Sequence, residues 1–297
     1  MKKIILLLDG GAMSGVFGGG IVSGLQELNI YKHIDAIYAG SAGAFNAAYF
    51  LAEQTGEGLR VYLDHLSEGF IYPRNFVPGI IQRFINRYFF RIPREKMLDV
   101  VDVDYVIDVI KNKVPLNVKK IKEQKIDFFI KTLNIRSKDV EYFPIFNHDI
   151  FEVLRASCCI APYTFDSQEI DGKYYIDGTI GEPIGLQRLR KLYPEHKIIF
   201  ISNNRETVGV RHKAKGVLEG IVTSLMYGSN FLKVFSTRED KVKEDLTFAE
   251  NDPNIFTILA PEDNPVRPRT RDRDTLMIGF EMGRKEAERI IDFLCLN

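Results

Sequence analysis

Five short apolar runs recur along the chain, at 4–8, 34–39, 126–133, 198–202 and 255–259, and they are largely continuous rather than alternating. Strands with one wetted face alternate apolar and polar residues, so runs of this kind indicate strands covered on both faces of a mainly parallel sheet. Between the first two runs, residues 15–28 have helical spacing, with Val16, Ile21, Val22, Leu25 and Leu28 available for one face. Strand, helix and strand then form a right-handed crossover unit. After the second run, 43–52 reads as a small-residue helix whose Ala44, Ala47 and Ala48 allow close packing on the sheet. Asp149 with Glu152 resembles a capping box for a helix ending near Cys159. In 169–175 an Asp-Gly pair lies between strand-like arms, a hairpin signal. A last helix is expected over 275–294. No repeat, low-complexity tract or Pro/Gly/Ser linker divides the 297 residues. The expectation is one α/β domain over 1–297, a three-layer α/β/α arrangement with a mainly parallel central sheet, and a lid or membrane-facing insertion at about 68–120.

Composition narrows the function classes more than it names one. Forty Lys+Arg balance forty Asp+Glu, for a formal charge of +0. A neutral chain has no global field for a polyanion, which disfavours sequence-independent nucleic-acid binding. Cys158, Cys159 and Cys295 form neither a disulfide framework nor spaced zinc-ligand pairs, and read as buried thiols in a reducing compartment. The apolar run after Met1-Lys2-Lys3 stops at Asp9, short of the roughly seven to fifteen residues of a signal-peptide core. No apolar stretch reaches the roughly 20 residues that span a bilayer. A cytoplasmic chain is expected, one that can still meet a membrane from outside.

Three short motifs carry chemistry. Ala39-Gly40-Ser41-Ala42-Gly43 lies where the second strand meets its helix. A serine on so tight a turn exposes its Oγ at the carboxyl end of the sheet, with a helix N-terminus behind it to stabilise developing negative charge. Asp9-Gly10-Gly11-Ala12-Met13-Ser14-Gly15 follows the first strand. Glycines there let successive N–H groups converge as an anion nest. A nucleotide phosphate loop is the competing reading, since Gly18, Gly19 and Gly20 continue the run. The loop lacks both G-x-G-x-x-G and a following Gly-Lys-Ser/Thr. Asp177-Gly178-Thr179 follows the hairpin arm and, taken alone, is a turn signal.

In this order and spacing the three motifs resemble the patatin-like phospholipases. Residues 9–15 match that family's D-G-G-G-x-R/K-G loop, 39–43 its G-x-S-x-G turn, and 177–179 its D-G-G/A. The resemblance implies a catalytic dyad in which Ser41 is the nucleophile and Asp177 the base, with the amides of Gly10, Gly11 and Ala12 as the oxyanion hole and no cofactor or metal. It implies a lipid ester substrate cleaved through an acyl-serine intermediate. Four positions depart from the pattern. Ala39 replaces the first glycine of the turn, outside the bend. Ala12 replaces the loop's third glycine, which matters only if that residue needs positive φ. Ser14 removes a cation that would orient the loop or an anionic head group, and Thr179 stands where Gly or Ala is usual. A catalytically silent lipid-binding protein, or a thioesterase or transacylase, are the competing readings.

A Ser-Asp-His triad is the rival mechanism. Among His33, His65, His148, His196 and His212 only the last two follow in the required order. His196 precedes the strand at 198–202 and belongs at the opposite edge of the sheet, whereas His212 lies after that strand, in a loop on the correct side. Elsewhere, Ile80, Ile81, Phe84, Ile85, Tyr88 and Phe89 form a helical stripe with Arg83, Asn86, Arg87 and Arg91 on the other side, which suits either a lipid headgroup layer or a core helix with a solvated arginine face. Asp99, Asp102, Asp104 and Asp108 interleave with valines and isoleucines and read as a solvated helix face rather than a metal site. The arginines of 267–273 read as a surface loop.

Overall fold

The computed structural model describes residues 4–89, 91–93, 96–204 and 210–294, without the side chains of 87, 88 and 210–213. Its strands are β1 (Ile4–Leu8), β2 (Ile34–Ala39), β3 (Asp127–Asn134), β4 (Val140–Pro144), β5 (Gln168–Ile170), β6 (Lys173–Asp177), β7 (Lys197–Ser202) and β8 (Ile255–Leu259). Helices α1 (Gly15–Glu27), α2 (Ala42–Leu51), α3 (Thr55–Arg60), α4 (Phe76–Tyr88), α5 (Val103–Asp108), α6 (Val118–Glu123), α7 (Ile150–Cys158), α8 (Leu186–Leu192), α9 (Val210–Tyr227), α10 (Leu232–Ser236), α11 (Arg238–Glu250) and α12 (Arg273–Leu294) connect them.

All the strands belong to one sheet, in the order β5-β6-β3-β2-β1-β7-β8, with β4 paired to β3 off that path. The strands β3, β2, β1, β7 and β8 run parallel. Only β4, β5 and β6 are antiparallel additions. Strand β1 shows why the apolar runs do not alternate. Ile4, Leu6 and Leu8 enter one core, while Ile5 and Leu7 enter a second on the opposite face. The first core is closed by α1, α2, α7 and α12, the second by α8 and α11, which gives the three layers expected.

Glycines 18–20 have a packing role in this arrangement. A Cβ on Gly20 would lie 2.0 Å from Phe280 O, so α1 can approach the α12 backbone only without a side chain there. The reading of those glycines as a continuing phosphate loop is set aside. The hairpin forms as expected, with Asp171 and Gly172 both at positive φ, 49° and 73°, as a two-residue turn requires. Asp149 Oδ1 accepts the N–H of Phe151 and Glu152, capping α7.

Residues 70–102 form a clasp. Ile71 bridges Val101, Tyr72 N–H donates to Val100 O, and Asp102 N–H donates to Phe70 O. Here the core-helix alternative for the stripe falls, and the reading of the aspartates changes. Arg83 lies inward, its side chain 18% exposed, paired with Asp99 at 3.2 Å and over the Phe165 ring. Ile81 and Phe84 face out, at 53% and 57% exposure, with Val77 at 63%. Gly79 and Arg83 decide which side of the helix is buried: a Cβ on Gly79 would collide with Phe165. The aspartates do not form one helix face either. Asp99 precedes α5 and accepts Phe165 N–H, Asp102 caps α5, and Asp104 pairs with Arg155. Among the described residues no helix is long and apolar enough to cross a membrane.

Candidate active site

Strand β3 brings the motifs together. Its first half pairs with β2, ending at Ala39 opposite Ile130. Its second half pairs with β6, whose Asp177 lies opposite Thr132, and because β4 takes the other edge of β3 over 129–133, β6 lies along the same edge as β2. Two chain ends therefore meet head on along one edge of β3, and the residue beyond each tip is set beside the other: Ser41 follows β2, and Asp177 ends β6. The glycine loop leaves β1 next door. Because β2 and β7 flank β1 on opposite sides, its carboxyl end is the place where an open α/β sheet leaves a crevice.

Ser41 has φ 52° and ψ −131°, a strained conformation for a residue with a side chain and the one a nucleophile turn imposes. Close packing holds it there. A Cβ on Gly43 would lie 2.5 Å from Asp9 O, and one on Gly10 2.8 Å from Ser41 Cβ. Ser41 N–H donates to Ser157 Oγ at 2.8 Å, and Ser157 Oγ donates to Lys131 O at 2.9 Å, so helix α7 pins the turn to β3.

Asp177 is fully buried. Its Oδ1 accepts both the N–H and the hydroxyl of Thr179, at 2.8 and 2.7 Å. Its Oδ2 is buried and makes no hydrogen bond of regular geometry, while the Ser41 hydroxyl is near enough to the carboxyl to interact with it. Burial pushes the carboxyl above its usual range, and the Thr179 bonds, Arg238 and Ser41 oppose that rise. Thr179 is thus a support for the carboxylate rather than a defect in the motif. Lys131, also buried, donates from Nζ to Glu182 O and Ile184 O, and burial lowers its pKa against the nearby carboxylates.

In the glycine loop Gly11 has φ 151° and Ala12 φ 49°, so the third position does need positive φ and an alanine sits there under strain. The Gly10 amide is taken by Asp9 Oδ1 at 2.7 Å, which corrects the expectation that it faces the oxyanion. The amides of Gly11 and Ala12 donate to no described residue. Asp9 Oδ2 in turn accepts from Ser202 and Asn204. Asn203 holds the loop from outside, donating to Asp9 O and accepting Gly18 N–H. Asn46 donates to Gly15 O. Asn203 and Ser157 carry no motif. Asn203 could have been found from its place just past the carboxyl end of an apolar run; Ser157 had no sequence signal.

These groups open onto a cavity of about 580 Å³, within the range that takes small ligands. Ser41, Asp177, Gly11 and Ala12 line it, with Phe45, Tyr49, Val103 and Val106 among its apolar walls and Phe70 and Val101 from the clasp. Cys158 lies against Ser41, and burial raises its thiol well above the ordinary value, so it is a neutral neighbour rather than a thiolate. Cys159 is pushed up to about 12, and Cys295 lies outside the described residues. His33, His65, His148 and His196 do not line the cavity. His196 pairs with Asp35 at the amino edge, as anticipated. His212 belongs to helix α9 instead of a loop, and its side chain lies outside the described residues. Three of the four arginines of 267–273 have structural partners, Arg267 on Asn264 O, Arg271 on Ile71 O and Arg273 on Asp64.

The chain is 22% identical over 186 residues to the uncharacterized protein YjjU of Escherichia coli (strain K12), covering 61% of this chain and 47% of that one; it spans about half the length of that relative. Among solved structures, VipD from Legionella pneumophila aligns over 98% of this chain and 67% of that one, at 15% identity and a TM-score of 0.47. The type III effector protein ExoU aligns over 80% of this chain and 54% of its own, at 13% identity and a TM-score of 0.28. The family model described as patatin-like phospholipase matches residues 6–189, a span that holds the glycine loop, the serine turn and the aspartate strand together, and by that match the chain belongs to the patatin-like phospholipase family.

Proposed function

We propose that the protein hydrolyses carboxylic ester bonds of phospholipids or other polar lipids through an acyl-Ser41 intermediate. The observation that carries this reading is the strained serine at φ 52° beside a buried carboxylate whose second oxygen lacks a regular hydrogen bond, both on the wall of one largely apolar cavity. Ser41 Oγ attacks the ester carbonyl while Asp177 takes its proton. The oxyanion receives the N–H groups of Gly11 and Ala12, and the ester C–O bond breaks as Asp177 returns the proton to the leaving alcohol. Water then repeats the sequence on the acyl-enzyme and frees the fatty acid. Asp177 must begin ionised, and Thr179 on Oδ1 keeps the carboxylate turned so that Oδ2 is free for the serine. The same bonds argue against a silent lipid-binding role, because a retired base needs no such support. The test is turnover of a short-chain p-nitrophenyl ester: wild type is active, Ser41→Ala and Asp177→Ala are inactive yet folded by circular dichroism, and full activity in either variant overturns the reading.

The lipid reaches the cavity from an anionic membrane surface laid against α4 and α9. Val77, Ile81 and Phe84 are exposed on the first, with Phe89 just past its end, and Leu218, Ile221 and Leu225 on the second. Helix α9 lines the cavity with Lys215, Gly216 and Glu219, so one helix carries both a part of the cavity wall and exposed apolar side chains. Residues 70–92 hold four arginines and no acid, and Arg74 and Arg91 are exposed, which suits an acidic headgroup layer.

A further inference from the structure

Two cations line the cavity among the described residues, Lys215 and Arg238, and they are not equivalent. Lys215 Nζ lies 3.5 Å from Glu219 Oε1 and 5.8 Å from the centre of the Tyr163 ring, while Glu219 also accepts the Tyr163 hydroxyl. That charge is already answered. The Arg238 guanidinium has neither a hydrogen bond nor an ion pair with any described residue. It opens α11, a helix end whose dipole disfavours a cation. Its charge nonetheless reaches the site, acting on the carboxyl groups of both Asp9 and Asp177. Meanwhile Ser14, standing where the family's loop carries a cation, is buried at 4% exposure and supplies no charge. Arg238 comes from outside the matched span of 6–189, so the loop motif gives no hint of it.

A guanidinium is the side chain whose planar fork fits two oxygens of one phosphate group. One with no hydrogen-bond or ion-pair partner beside apolar walls keeps its donors available to an arriving anion. The two carboxyl groups nearby favour a singly charged anion over a dianion, because each added negative charge is repelled by both. A phosphodiester meets that condition, and the apolar walls offer a place for its acyl chains. We propose that Arg238 is the anion subsite of this cavity, holding the phosphodiester of a glycerophospholipid while an acyl ester of the same molecule lies at Ser41. The proposal rests on the reading of Ser41 as the ester nucleophile, and it assigns the selection of phospholipids over uncharged glycerides to a residue of α11.

Two measurements on the full chain test it. The first compares kcat/KM for a short-chain phosphatidylcholine, below its micelle concentration, with that for the diacylglycerol of the same chains, in wild type, Arg238→Gln and Arg238→Lys. A lost charge-assisted contact predicts about a tenfold or greater fall for the phospholipid in Arg238→Gln, mainly in KM. Measured at a pH well above the acid limb, where Asp177 is ionised in every variant, the diacylglycerol value stays within about twofold, and Arg238→Lys recovers part of the loss. An equal fall for both substrates, with the acid limb of the rate profile moved to higher pH, would mean that Arg238 only keeps Asp177 ionised, and overturns the proposal. No fall for either substrate overturns it as well. The second measurement titrates a non-hydrolysable short-chain diether phosphatidylcholine by calorimetry, with no turnover involved. Binding about tenfold weaker in Arg238→Gln is expected, and equal affinity overturns the subsite. If wild type cleaves no ester yet binds the ether lipid in this Arg238-dependent way, the hydrolase reading fails and the subsite stands. Inorganic phosphate binding alone, as tightly and with the same dependence, overturns the lipid assignment in favour of a free phosphate.

Discussion

The floor and the cover of the cavity are built on opposite terms. The floor, where β1, β2 and β6 end, is packed with small residues at distances that exclude even a methyl group: Gly43 against Asp9 O and Gly10 against Ser41 Cβ. Its polar groups are tied into fixed partners, Ser41 to Ser157 and Asp177 to Thr179. The cover, made by α9 with α4 packed beside it, leaves large side chains in solvent, with Phe84 at 57% and Leu225 at 69% exposure. A site that must hold atoms in place for bond making needs the first kind of construction. A surface that meets a variable, fluid partner needs the second. If this division is right, changes in the floor act on the rate of any ester, and changes in the cover act on delivery alone.

The largest effect is expected at the dyad. Ser41→Ala lowers kcat on a soluble ester by at least about a thousandfold, in the range seen when a nucleophile is removed. Asp177→Asn lowers it comparably and separates chemistry from folding. Burial holds the Asp177 carboxyl above its usual value, so the folded state binds this proton more tightly than the unfolded chain does. The ionised form therefore costs stability at neutral pH, and that cost disappears as pH falls through the raised folded pKa. Asp177→Asn should melt higher than wild type at pH 7, by about 2 °C or more, with the gap closing in acid. The wild-type rate on a soluble ester should fall on an acid limb above about pH 3.9, the unperturbed aspartate value, because the base works only when ionised. A lower melting point for Asp177→Asn at pH 7 would break the claim that the floor is held at a cost.

A smaller loss is expected one step back from the chemistry. Ser157→Ala removes the acceptor of the Ser41 N–H, and the turn then relies on packing alone. The rate should drop about tenfold, in line with a single buried hydrogen bond, with KM nearly unchanged; a change confined to KM would place Ser157 in substrate binding instead. On the cover, Ile81→Asp with Phe84→Asp should leave turnover of a soluble ester within about twofold while removing sedimentation with vesicles containing anionic lipid, since both apolar area and a neutral surface are lost. Loss of soluble-ester activity in that variant would show that floor and cover are not separable. The least effect is expected at Ala12→Gly, which relieves an alanine at φ 49° and should stabilise the fold by roughly 0.5–1 kcal/mol, partly offset by the greater freedom of glycine in the unfolded chain.

The same division decides what could be read from the sequence. Strands β1, β2 and β8 fall where the apolar runs predict them, because burial on both faces leaves no alternation to misread. The hairpin is marked by its Asp-Gly turn. Strand β4 passed unseen: in Val140–Pro144 only Phe143 is fully buried, and five residues ending in proline make a weak signal. Ser41, Asp177 and the glycine loop were legible because backbone strain and close approach restrict which residues fit. Ser157 and Arg238 were not, since each is a single ordinary side chain brought to the site from a distant part of the chain, whereas Asn203 is marked only by its place past an apolar run. The outward face of α4 was beyond sequence reasoning for a related cause. Periodicity shows that a stripe exists, but the pairing of Arg83 with Asp99 and the contact of Gly79 with Phe165 decide which side is buried.

The central claim is that Asp177 activates Ser41, and the most direct measurement is peptide mapping by mass spectrometry after timed exposure to a fluorophosphonate. The account predicts one adduct on the peptide containing Ser41 in wild type, none in Ser41→Ala, and labelling slowed by at least about a hundredfold in Asp177→Asn, as expected when a general base is lost. A folded wild type that takes no label, or an Asp177→Asn variant labelled as fast as wild type, would contradict it.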